Sequence, residues 1–198
     1  MFLNKTRFKK LLKSAYTHGG LTVGRVYEGL VLAGNGWVSW TEEGYVPNWL
    51  KAAVIEYTGE LPKAGYVFRA QKDEVLQYEM PENDRLDLPG CFTIAKEPYE
   101  ITPITYNTSL VDYRMLQNRK DGGLIIFPEY FYETLDFSEL DKDEFAPTGP
   151  SAYSLDPEML YWKNEHAAVA FSTAKTGDIA CIKAKKLLAE IDFGEKVK

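Results

Sequence analysis

The sequence predicts an α+β fold, a mainly antiparallel sheet with three or four helices, arranged as two pseudo-repeated β-rich units. Two observations carry this expectation. First, an apolar–proline–polar–aromatic pattern occurs twice, as Val46-Pro47-Asn48-Trp49 and as Phe127-Pro128-Glu129-Tyr130. Each copy follows short strand-like segments broken at glycine or asparagine. Second, each copy precedes a hairpin pattern, Tyr66 to Met80 turning at Lys72-Asp73-Glu74 and Met159 to Thr173 turning at Lys163-Asn164-Glu165. A repeated strand–helix–strand unit implies two copies sharing one core. The predicted organisation is a single compact domain over 1–198, with pseudo-repeats at about 1–80 and 99–193 joined by an exposed polar loop at 81–98.

Asn4 or Thr6 caps a first helix to about Tyr16, with Phe8, Leu11, Leu12 and Ala15 as one apolar stripe. Gly19-Gly20 ends it. Leu21–Val26, Leu30–Ala33 and Trp37–Thr41 read as strands, with turns supplied by Gly29 and by Gly34-Asn35-Gly36. Pro47 suits the first turn of a second helix, which runs to Thr58 and stops at Gly59. The second half opens with strands near Tyr99–Tyr106 and Leu110–Gln117. Leu124–Phe127 is a short apolar run of the kind found in buried strands. A helix follows from Pro128 to Leu135, then a long acidic connection from Ser138 to Ser154. Asp178 caps a final helix whose Ile179, Ile182, Leu187 and Ile191 are expected to face inward.

The chain has 198 residues, a formal net charge of −6 and 13 tyrosines. Wholesale coating of nucleic acid is unexpected at that charge, although a local basic face is compatible with it. Cys91 and Cys181 are widely spaced and read as reduced thiols. Met1-Phe2-Leu3-Asn4-Lys5 lacks the apolar run of a signal peptide, and no segment approaches the length of a membrane span. A cytoplasmic location is expected.

Catalytic patterns are sparse, and no catalytic residue is assigned. His18 and His166 are the only histidines, and each sits beside a turn. Cys-x-x-Cys, Gly-x-Ser-x-Gly and the P-loop pattern are all lacking, so no cofactor and no metal is expected. Asp141-x-Asp143 begins like a calcium loop but lacks the required glycine and terminal glutamate.

Charge is segregated instead. Asp136, Glu139, Asp141, Asp143 and Glu144 crowd one segment that could engage a basic groove on a partner protein. Lys5, Arg7, Lys9, Lys10 and Lys13 cover the outside of the first helix and could track a phosphate backbone. Lys183 and Lys186 on the last helix would extend that basic patch if the two helices lay side by side.

Two resemblances bear on function. The segments Asn4 to Leu12, Gly20 to Gly24, Lys51 to Pro62 and Asp112 to Leu116 together resemble uncharacterised proteins of phages and mobile elements of Gram-positive anaerobes. That resemblance implies no catalytic residues, and with the sparse catalytic patterns and the segregated charge it gives the first reading, a non-catalytic binding protein of a phage or mobile element that engages or inhibits a host protein, such as a nucleic-acid-handling or defence nuclease, through the acidic segment and exposed aromatics. Phe2-Leu3, the basic helix and the three following strands are also similar to one β-α-β-β-β unit of sliding clamps, and the helix from Pro47 with its hairpin begins another. This second likeness implies a clamp-like nucleic-acid-associated protein with its basic helices on the DNA side. The third reading is an enzyme whose site is assembled from scattered carboxylates and tyrosines. The three are ranked in that order.

Overall fold

A computed structural model describes residues 1–79, 86–138, 146–155 and 157–194. The first helix, α1 (Lys5–His18), leads into a meander of β1 (Leu21–Val26), β2 (Gly29–Gly34) and β3 (Trp37–Glu42). Then come α2 (Asn48–Thr58), β4 (Val67–Ala70) and β5 (Gln77–Glu79). A short helix, α3 (Leu88–Ile94), precedes a second meander of β6 (Glu97–Asn107), β7 (Asp112–Asn118) and β8 (Leu124–Pro128). It is followed by α4 (Glu129–Tyr132), β9 (Thr148–Ala152), β10 (Met159–Lys163), β11 (Ala167–Ser172) and α5 (Ile179–Leu188). The fold is α+β, and among the described residues it has an antiparallel sheet of eleven strands in the order β5-β4-β1-β2-β3-β11-β10-β9-β6-β7-β8.

The strands follow the same path in each half. A meander is succeeded by a helix, and the next strand returns to pair with the first strand of the meander. Thus β4 pairs with β1, with Leu21 opposite Ala70, and β9 pairs with β6, with Glu97 opposite Ala152. Pro47 and Pro128 both occupy the residue immediately before the helix, α2 and α4 respectively. The seam between the halves is the β3–β11 pair, which runs from Ala167 opposite Thr41 to Phe171 opposite Trp37.

Strand side chains alternate between the two faces of a sheet, and here both faces are covered. Leu30 and Leu32 of β2, Leu160 and Trp162 of β10, Val169 and Phe171 of β11, and Phe127 of β8 join the largest core. That core also takes Phe8 and Leu12 of α1, Leu50 and Val54 of α2, and Phe131 of α4. The intervening residues point the other way. Val31, Trp40, Tyr161, Ala168 and Ala170 pack with Leu88 of α3, while Met115, Leu124 and Ile126 pack with Cys181 of α5. Helices α1, α2 and α4 therefore lie on one face, and α3 and α5 on the other.

Several expectations are corrected. The β1–β2 turn is made by Tyr27 and Glu28, both at positive φ (53° and 58°), and not by Gly29. Gly29 is already inside β2, where a Cβ would stand 2.4 Å from the Trp40 indole nitrogen. That nitrogen donates to the Tyr27 carbonyl at 2.9 Å, holding the turn in its left-handed conformation. Pro47 lies just outside α2 with extended backbone (φ −64°, ψ 144°).

Helix α4 ends at Tyr132 because the chain is then drawn toward the N-terminus. Leu135 bridges to Leu3, and the Asp136 N–H donates to the Phe2 carbonyl at 2.9 Å. Residues 81–85, part of the expected exposed loop, lie outside the described residues, as does Met80 at the end of the first hairpin pattern. The remainder of that loop is not exposed throughout, because Leu86 and Leu88 are buried against β2, β10 and β11.

The inward stripe of α5 is also not the one expected. Ile179 and Leu187 are about three-quarters exposed, at 70% and 73%, and Ile182 and Ile191 are exposed as well. Cys181, Ala184 and Leu188 face the sheet instead. The start of the helix decides this. Ala174 bridges to Ile126 at the sheet edge, and Asp178 caps the N–H groups of Ala180 and Cys181, so the small Cys181 and Ala184 turn inward at close approach.

Candidate nucleic-acid interface

Helix α1 is fixed from three sides. Its first turn is capped by Asn4, whose side-chain oxygen accepts the Arg7 N–H at 3.0 Å. Its apolar stripe places the Phe8 ring edge-on to Trp37 (5.3 Å, 71°) and to Trp49 of α2 (6.5 Å, 87°). Arg7 reaches Glu133 just beyond α4 at 3.1 Å. Burying Phe8, Leu12 and Ala15 leaves the outer face to Lys5, Arg7, Lys10 and Lys13, which are exposed, with Lys9 half-buried. No Asp or Glu occurs between Lys5 and His18, so α1 carries five full positive charges and no negative one.

A groove of about 380 Å³ runs between α1 and α4. One wall is Arg7, Lys10 and Ser14, and the other is Tyr130 with Phe131 beneath it. Trp37 and Phe131 are buried, at 2% and 1% exposure, whereas Tyr130 is 47% exposed. The Tyr130 ring rests 4.4 Å from that of Phe131. Burial, then the neighbouring Tyr113, pushes the Tyr130 phenol above its ordinary pKa, so it stays neutral and able to donate.

Helix α4 is only four residues long and is held by a side-chain clamp. Arg114 of β7 donates through Nε and Nη2 to the two carboxylate oxygens of Glu129, at 2.9 and 2.5 Å, and its guanidinium lies 4.3 Å from the Tyr132 ring centroid. The Glu129 bond is the main cause of the raised Arg114 pKa.

The other residues expected to form sites are distributed differently. Lys183 and Lys186 are exposed on α5, but α5 packs on the Ile126 face of β8 and α1 on the Phe127 face. The two basic helices are therefore on opposite sides of the sheet and their cations do not merge. Asp136 is hydrogen-bonded within the chain. It accepts from the Asn4 amide at 3.1 Å and from the Ser138 backbone N–H and hydroxyl at 3.0 and 2.6 Å. Glu139, Asp141, Asp143 and Glu144 lie outside the described residues.

His166 is stacked on Tyr45 (3.4 Å, 7°), with its Nδ1 2.6 Å from Glu42, while His18 borders the α1 groove. Among the described residues no group of three or more His, Cys, Asp or Glu is placed to hold a metal ion. Among the described residues no helix is long and apolar enough to cross a membrane.

Tyr130, Arg114 and Glu129 were not singled out by the sequence as site residues. Tyr130 does lie within the second copy of the repeated proline–aromatic pattern, and that was the available signal.

No protein-family model matches the chain, and no curated protein matches it. Among solved structures, the chain is similar to the DNA polymerase III subunit beta DnaN sliding clamp from Bartonella birtlesii LL-WM9. The TM-score is 0.30 at 10% identity, with 91% of this chain and 66% of that chain covered. A likeness of that size bears on neither the site nor the function.

Proposed function

We propose that this protein is a non-catalytic, nucleic-acid-associated protein that holds a phosphate backbone against the outer face of α1. The supporting observation is that face itself, with four exposed cations, a half-buried fifth and no acidic residue along the helix. Lysines packed this way on a chain of net charge −6 raise the local positive potential against the global sign. A rigid helix presenting cations in that density fits a polyanion whose charges recur at short intervals. The two halves, which share a strand path, are in this reading pseudo-repeats of a single domain at about 1–80 and 99–193, with the basic helix contributed by the first.

The reading ranked first by the sequence, capture or inhibition of a host protein through the acidic segment and exposed aromatics, has one of its five acidic residues among the described residues, Asp136, which accepts a hydrogen bond from the Asn4 cap of α1. Its other four residues lie outside the described residues.

The test is fluorescence anisotropy with labelled DNA. Binding should be measurable at low salt, and its logarithm should fall linearly with the logarithm of salt concentration. Changing Lys9, Lys10 and Lys13 to Glu should abolish it, and each single change should lower the salt slope by about 1. A chain that binds neither DNA nor RNA at low salt does not have this function.

A further inference from the structure

We infer that the groove between α1 and α4 is a site for one unit of single-stranded nucleic acid, with an unpaired base stacked on Tyr130 and its phosphates held by Arg7 and Lys10. This deepens the function proposed above and rests on it.

A helix that only tracks phosphates needs no aromatic wall, yet one stands opposite these cations. Tyr130 is half-exposed on a four-residue helix whose next residue, Phe131, is fully buried. The Phe131 ring supports it from below and the Arg114–Glu129 clamp holds its helix, so its orientation is set before any ligand arrives. Arg7 and Lys10 are three residues apart on α1, one helical turn, and therefore project from the same wall. A volume of about 380 Å³ is in the range of sites for small organic groups, which suits one nucleotide unit and not a duplex. A base inside a duplex has no free face to offer, whereas every unpaired base has one. Stacking of this kind is tolerant of sequence.

Glu133 gives the inference a second handle. Its pair with Arg7 is exposed on both sides, at 46% and 41%, so exchanging the carboxylate for a phosphate costs little. The same carboxylate repels an incoming phosphate, so removing its charge should strengthen binding.

The test uses the full chain, a labelled short oligothymidylate, a labelled duplex and thymidine monophosphate as competitor. The single strand should bind more tightly than the duplex, and the mononucleotide should compete only at high concentration. Tyr130→Ala should weaken single-strand binding by about tenfold and leave duplex binding unchanged, while Tyr130→Phe should bind as the parent does. Lys10→Glu should weaken both, and Glu133→Gln should strengthen single-strand binding a few-fold.

If Lys10→Glu weakens binding but Tyr130→Ala does not, the stacking site is overturned and the phosphate-binding helix stands. If no nucleic acid binds, both fall. Tighter binding of the free mononucleotide, or of a phosphopeptide, also overturns the inference. Should Tyr130→Ala fail to fold, Glu133→Gln decides, since it alters only an exposed side chain, and an unchanged single-strand affinity refutes the site.

Discussion

The Asn4 side chain joins Asp136 to the start of α1. Its amide nitrogen donates to the Asp136 carboxylate at 3.1 Å while its carbonyl oxygen caps the Arg7 N–H at 3.0 Å. An acidic residue 132 positions away thus orients the cap of the basic helix. Asn4→Ala should destabilise the protein by about 1–2 kcal/mol through loss of the cap and its partner. Ser and Asp are ordinarily comparable caps. Here Asn4→Asp should be clearly worse than Asn4→Ser, because it sets one carboxylate against another. Urea midpoints of the three variants test this, and equal midpoints for Asp and Ser would contradict it.

Gln117 ties down the C-terminal segment. It is 4% exposed, its Nε2 donates to the Ile191 carbonyl at 2.7 Å and to the Gly122 carbonyl at 3.2 Å, and its Oε1 accepts the Phe193 N–H at 3.0 Å. Gln117→Ala leaves three backbone groups without this partner and should cost about 1–3 kcal/mol. Amide exchange at Phe193 should accelerate in the variant by more than global destabilisation accounts for. Unchanged protection there would show that the tail is held by other means.

The Arg114–Glu129 clamp requires a planar fork. Both side chains are about four-fifths buried, the bond pair is bidentate, and the guanidinium also faces Tyr132. Lysine supplies one point charge and no planar stack, so Arg114→Lys should be destabilising by about 1–2 kcal/mol despite its retained charge. Thermal unfolding measures the loss. A variant as stable as the parent would show that the clamp does not hold α4.

Asp178 makes α5 sensitive to acid. Its carboxylate is held below the ordinary range, first by the Cys181 N–H, then by the Tyr106 hydroxyl and the Ala180 N–H. A carboxylate whose folded pKa lies below its unfolded value contributes stability that is fully present above the unfolded value of about 3.9 and is lost as pH falls through the folded one. Docking of α5 should therefore weaken on acidification through and below pH ~4. Asp178→Asn should remove this component of the acid limb. Stability followed against pH for parent and variant tests it, and parallel acid limbs would exclude Asp178 as a contributor.

Patterns confined to neighbouring residues were readable without the structure. The α1 stripe of Phe8, Leu12 and Ala15, the Asp178 cap, the Gly59 stop at φ 79° and both hairpins follow from side-chain spacing and backbone freedom, while the α1 cap was open between Asn4 and Thr6 until the structure placed Asn4 there. Local spacing failed where a distant contact intervened. Trp40 holds the Tyr27-Glu28 turn, so Gly29 serves close approach and not the bend. Leu3 draws Leu135 out of the helical turn expected there.

The candidate site divides in the same way. The cationic face of α1 is a property of fourteen consecutive residues and needs only helical periodicity to be seen. The groove beside it needs Arg7 and Tyr130 brought together across more than a hundred residues, which only the packing of α1 and α4 on one face of the sheet achieves. The separation of α5 from α1 has the same origin. Whether two basic helices share a surface depends on which side of β8 each one covers, and Ile126 and Phe127 are equally apolar in the sequence but point to opposite faces. Helices α1, α2 and α5, both hairpins and the sign of the charge on those helices could be read from the chain, because they depend on residues within a few positions, whereas α3 formed inside the segment expected as a loop. Which charged side chains meet emerged only on folding, because sheet order and face are set by long-range pairing energies that no local spacing encodes.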